Sequence, residues 1–174
     1  MHARLWSLAV IAFAVAPEAR AAPPSDMISV LRSVCLAAFG DLPAIRSAAL
    51  KSRLKAHPIS EELKESLVAS RGRLYLVYRG APDGEISPIP QCFTEIPAGK
   101  ANYETVADLV QRELRLGPGN LVRADSLRIT RWTWRDARNE AFTISLTAEQ
   151  ILEEQKLRLS VDRQKILPLK KGAE

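Results

Sequence analysis

Few residues in this chain have the type and spacing to do chemistry, and histidine is the scarcest of them. There are two, His2 and His57, and His2 belongs to an N-terminal export segment. A Ser-His-Asp triad would have to use His57. No Gly-x-Ser-x-Gly elbow accompanies it, and its place before Pro58 in a polar stretch reads as an exposed linker. The adjacent acids Glu61-Glu62 and Glu153-Glu154 have the composition that glycoside hydrolysis needs, but they read as solvated or helix-start charges. Gly117-Pro118-Gly119-Asn120 follows a predicted helix instead of opening one, which makes it a stop and not a phosphate cradle. The most suggestive stretch runs from Arg128 to Arg138. There Trp132 and Trp134 fall on one face of a strand, Arg131 and Arg135 fall on the other, and Arg128 and Arg138 add charge at its ends. Arginine and tryptophan recur in interface hot spots, so Arg128, Arg131, Trp132, Trp134, Arg135 and Arg138 form a candidate interaction patch. The opposing reading places both tryptophans in the core with the arginines solvated.

The elements that must position these residues follow from hydrophobic period and from breakers. Met27, Val30, Leu31, Val34, Cys35 and Ala38 recur at helical spacing after Ser25, a possible cap, and Gly40 ends that helix. Pro43 suits the first turn of a second helix reaching about Lys55. Ser60 is expected to cap a third helix stopped by Gly72. Leu74-Tyr75-Leu76-Val77-Tyr78 reads as a strand buried on both faces, and Pro90 to Ile96 as the returning arm that carries Cys92. Pro82-Asp83-Gly84 has turn chemistry between them. Asn102 caps a helix from Tyr103 to Leu116. Ser126–Arg135, Glu140–Thr147 and Leu157–Asp162 read as strands, with Asp136 to Asn139 as a hairpin turn. Ala148–Lys156 fits either a helical turn or a continued strand. Helices first and a mostly antiparallel sheet later define an α+β fold.

The chain as a whole carries an address. Met1 to Arg4 is a short charged start, Leu5 to Ala16 is uncharged and apolar, and Ala19-Arg20-Ala21 offers small residues at a cut. That three-part pattern is a secretory signal peptide, and its apolar run is shorter than the ~20 residues a membrane-spanning helix needs. Residues 1–21 are therefore expected to be removed. Residues 22–167 form one α+β domain, and residues 168–174 a flexible tail. Export leaves 23 basic against 19 acidic residues, a mild excess that favours anionic surfaces without the clustering of a nucleic-acid binder. In an oxidising compartment Cys35 and Cys92 read as bridged, the alternative being two buried thiols. Neither shows the base that a reactive thiol needs, and a zinc site would lack ligands once they pair.

Val34-Cys35-Leu36 in a helix soon after a signal peptide, followed by Gln91-Cys92-Phe93-Thr94 in a strand, resembles small exported proteobacterial proteins of unknown function. The resemblance spans roughly residues 30–115 and implies a periplasmic α+β domain with one disulfide. It implies no activity, cofactor or catalytic residue. The function expected is a non-enzymatic binding or interaction module whose partner is an envelope or secreted protein, or an anionic envelope component. No nucleic acid and no membrane span are expected. The alternatives are a small envelope hydrolase acting through carboxylates or a serine, and a carrier of a small apolar ligand.

Overall fold

The computed structural model describes residues 22–59, 65–79, 91–99, 101–124, 127–151 and 154–163. The signal segment, the C-terminal tail, the Pro82-Asp83-Gly84 turn and the start of the expected third helix lie outside them. Helix α1, Pro24–Val30, begins one turn-position earlier than the sequence suggested, with Pro24 near its start and no side-chain cap. Proline's fixed φ suits a first helical position, so Ser25 lies inside the helix and is not its cap. The helix runs into a π-helical stretch, Leu31–Leu36, that carries Cys35. Gly40, at φ 88°, lets the chain turn. Asp41 then caps α2, Leu42–Lys51, its Oδ1 accepting from the Ala44 amide at 3.0 Å. α2 stops short of Lys55 because Arg53 adopts φ 59° and the Leu54 amide donates back to the Ala49 carbonyl.

The expected helix ending at Gly72 is overturned where it is described. Ser66–Arg71 is strand β2, which follows the two-residue β1, Lys55–Ala56. Leu67 and Ala69 are buried, and Gly72, at φ 60°, is the first residue of a tight hairpin to β3, Leu74–Arg79. The pairing outweighs local helix preference. Strand β3 is not buried on both faces either. Leu74, Leu76 and Tyr78 enter the core while Tyr75 is exposed. Strand β4 is Gln91–Pro97.

Helix α3, Tyr103–Glu113, is capped by Asn102 and buries Tyr103, Val106 and Val110. It ends as α2 does, with Arg115 at φ 53° and the Leu116 amide bonded to the Gln111 carbonyl. Strand β5, Asn120–Ala124, was not anticipated. β6, Leu127–Arg135, joins β7, Ala141–Ile151, through the foreseen turn, where Asp136 Oδ1 accepts from the amides of Arg138 and Glu140. Of the ambiguous stretch Ala148–Lys156, residues 148–151 continue β7 and residues 154–156 open β8, Glu154–Arg163, which pairs antiparallel with it.

The eight strands make one antiparallel sheet in the order β1-β2-β3-β4-β8-β7-β6-β5. α1, the π-helical stretch and α2 precede one four-strand meander and α3 alone precedes the other, and the meanders meet along β4 and β8, from Gln91↔Asp162 to Pro97↔Lys156. The order reads alike from either edge once β1–β4 are matched with β5–β8. The helices pack on one side of the sheet, where Met27, Leu31, Ile45, Leu76, Ile96, Ile144, Leu146 and Leu159 are fully buried. The Cys35–Cys92 disulfide ties the π-helical stretch to β4, with Cα atoms 5.6 Å apart. This is the α+β arrangement that the sequence predicts, helices on an antiparallel sheet with one disulfide.

Candidate functional site

Strand alternation divides the six Arg/Trp candidates between two faces. On the helix side stand Arg128, Thr130, Trp132 and Trp134. Arg128 donates to Glu104 of α3 at 3.0 Å. Thr130 meets the Tyr103 hydroxyl at 2.9 Å, and that hydroxyl donates to the Leu146 carbonyl. Trp132 is only 3% exposed. Trp134 is half-buried against Phe142, whose ring also takes the edge of Phe39. What remains open of Trp134 borders a shallow groove with Arg32, Leu36, Glu113 and Arg115. On the helix-free side stand Arg131 and Arg135, both exposed. Arg135 donates to the Asn139 carbonyl and side chain, which fixes it to the hairpin, while Arg138 is exposed on the turn itself. The six residues thus form no single surface. The arginines of the helix-free face are backed by tryptophans that serve as core.

Strand pairing assembles a second group that no motif revealed. Glu95 of β4 accepts from Lys156 Nζ at 3.1 Å and from Arg158 Nη2 at 2.9 Å, both on β8, and the Arg158 guanidinium lies 4.6 Å from the centre of the Phe93 ring. Burial pushes the Glu95 carboxyl up, but hydrogen bonds from Arg158 and Lys156 outweigh it and hold the group below the usual range. Asp162 lies further along the same face. Its burial dominates the hydrogen bonds from Ser160 and Gln91 and the nearby Arg131 charge, so its carboxyl is raised. Its Oδ1 is buried and has no hydrogen-bond partner among the described residues. In sequence these groups sit some 60 residues apart, and only the β4–β8 register brings them together.

His57, expected as an exposed linker residue, is exposed and stands just past β1. Its amide donates to the Val68 carbonyl, and its Nε2 is 2.7 Å from Ser70 Oγ. A serine–imidazole contact becomes a nucleophile only with an orienting group and oxyanion donors, and no such group is recorded on this pair among the described residues. Nearby, between α2 and β2, lies a cavity of about 260 Å³ walled by Ala49, Leu54, Leu67 and Ala69, with Arg46 and His57 on its lining. Among the described residues no three His, Cys, Asp or Glu side chains gather as metal ligands. No described helix is long and apolar enough to cross a membrane.

No known protein family matches this chain, and neither a curated protein nor a solved structure does. The cysteine placement that the resemblance rested on is present, with Cys35 in the early helical segment bonded to Cys92 in a strand.

Proposed function

We propose that residues 1–21 direct the chain out of the cytoplasm and that the domain behind them is a small binding module. It docks an envelope or secreted protein on the helix-free side of its sheet, beside β6. The observation that carries this reading is the pair Arg131 and Arg135, exposed on that face above a strand whose other side is locked by Trp132 in the core. The strand fixes where both guanidinium groups start from, and Arg135 is already held to Asn139, which lowers the cost of ordering it against a partner. The chemistry favours an acidic partner surface. In-cell crosslinking of the exported protein, followed by identification of what it holds, tests the proposal. Arg131→Glu with Arg135→Glu is expected to abolish capture while the circular dichroism spectrum stays unchanged. Capture that survives both reversals would remove this face from the proposal.

A second reading, carriage of a small apolar ligand, has one observation in its favour, the apolar cavity between α2 and β2. Its test is native mass spectrometry of protein recovered from the periplasm, where a bound lipid or similar molecule would support it.

A further inference from the structure

The two edges of the sheet are finished differently. At one edge β1 has two residues, one of them Lys55, and Pro58 follows shortly. A short edge with lysine and proline is how sheets discourage the addition of strands. At the other edge β5 has five residues, and all five are exposed. Among them Leu121 is 41% and Val122 45% exposed, so two large apolar side chains stand at an open edge. Among the described residues β5 pairs with β6 alone. Its outer edge therefore presents backbone donors and acceptors over a length of about 17 Å.

The side chains around that edge are cationic. Arg123 is on β5, and Arg128 and Arg131 are on β6 opposite Arg123 and Asn120. Among the described residues Glu104 is shared between Arg123 at 3.7 Å and Arg128 at 3.0 Å, so there one carboxylate answers two arginines on the helix side. Arg131 stands on the other side. A second copy of the chain would bring a matching set of arginines against this one, which opposes self-pairing. An acidic strand would be attracted by the same charges.

We propose that β5 is a docking edge that takes an extended acidic segment of a partner protein as a ninth strand. The proposal rests on the reading of the chain as a binding module and names how it binds. Backbone bonds to β5 supply the affinity. Side chains of the added strand alternate between the helix side, beside Leu121 and Arg123, and the open side, beside Val122 and towards Arg131. A sequence alternating acidic and apolar residues sets its acids in one row, beside Arg123, and its apolar side chains in the other, beside Val122.

Fluorescence anisotropy of the exported protein with a labelled Glu-Val-Glu-Val-Glu-Val-Glu peptide tests the mode. A second peptide of the same sequence, methylated on every internal amide nitrogen, keeps every side chain but has no internal amide left to donate from either edge. Binding of the first peptide, with about a tenfold or greater loss for the methylated one, is the expected result. Arg123→Glu is expected to weaken the first peptide by about tenfold as well, and Leu121→Lys with Val122→Lys reports on the apolar part without touching the core. Equal binding of both peptides would overturn edge addition and leave docking on the arginine face standing. No binding of either peptide, with partner capture still lost in Arg131→Glu with Arg135→Glu, would overturn the edge alone. Dimers in sedimentation that dissolve in the Leu121→Lys, Val122→Lys variant would overturn it too, since the occupant would then be a second copy.

Discussion

At Gly119 the backbone passes so close to the Trp132 indole that a methyl group there would sit 2.5 Å from Nε1 and 2.6 Å from the Thr130 methyl. Both neighbours are buried, so neither can step aside freely. Gly119→Ala is therefore expected to lower stability by about 1–3 kcal/mol, measured by urea unfolding, although the residue looks like an ordinary loop glycine. Asp162 makes a prediction of the opposite sign. Its folded carboxyl is raised, so the folded chain holds that proton more tightly than the unfolded chain does. The resulting destabilisation is absent in acid and grows as the pH rises through the ordinary carboxylate range to the raised value. Asp162→Asn should melt higher than the parent at neutral pH, with the gap closing in acid, and a lower melting temperature at neutral pH would refute the assignment. Glu95 behaves the other way. Its lowered carboxyl contributes stability at neutral pH that is lost as the pH falls through its folded value. The two acids of one sheet face thus answer pH oppositely, because one has cationic partners within bonding distance and the other is dominated by burial.

At the scale of elements, both capped helices end in the same manner. Arg53 and Arg115 each occupy the left-handed position where glycine is usual, and Leu54 and Leu116 each follow as a buried residue whose amide closes the last turn. The anchoring leucine fixes where each helix stops, which is why α2 ends before Lys55 and α3 before Leu116. The longer tie is the disulfide. It spans 57 residues and joins the π-helical stretch to the middle of the sheet. On the loop-entropy argument, Cys35→Ser with Cys92→Ser should lower unfolding stability by about 4 kcal/mol. Urea midpoints with and without reductant measure it, and coincident midpoints would show that the bond contributes little to the unfolding equilibrium.

Across the whole molecule, two meanders share one sheet through the β4–β8 seam and one continuous core. A seam of seven residue pairs, with alternate side chains of both strands in the common core, gives neither half a surface on which to part. The two tryptophans beyond residue 21, Trp132 and Trp134, lie on β6, in the second half, whereas circular dichroism reports the entire sheet. The two signals are expected to follow a single urea transition. Tryptophan fluorescence that changes at a separate midpoint would mean that the meanders are independent units.

The α+β class, the cysteine pair, the cap at Asn102, the turn at Asp136–Asn139 and the alternation of β6, β7 and β8 were legible in the order of residues. Each depends on neighbours within a few positions or, for the cysteines, on there being only two in the chain. Ser66–Arg71 was misread because its strand character comes from β3 beyond Gly72, not from its own propensity. Strand β5 went unseen because its exposed, mixed side chains carry no hydrophobic period. The candidate patch was legible as residues but not as a surface, since alternation puts Arg128 with the tryptophans and Arg131 against them, and burial depends on helices far away in sequence. The Glu95, Lys156 and Arg158 cluster needed the register of two strands some 60 residues apart. Local order thus determined most of the elements, the Asn102 cap and the Asp136–Asn139 turn, but not β1, β2 or β5. Only long-range pairing decided which charges meet, which tryptophan is core, and which edge of the sheet is left open, because those depend on contacts that no short stretch of chain contains.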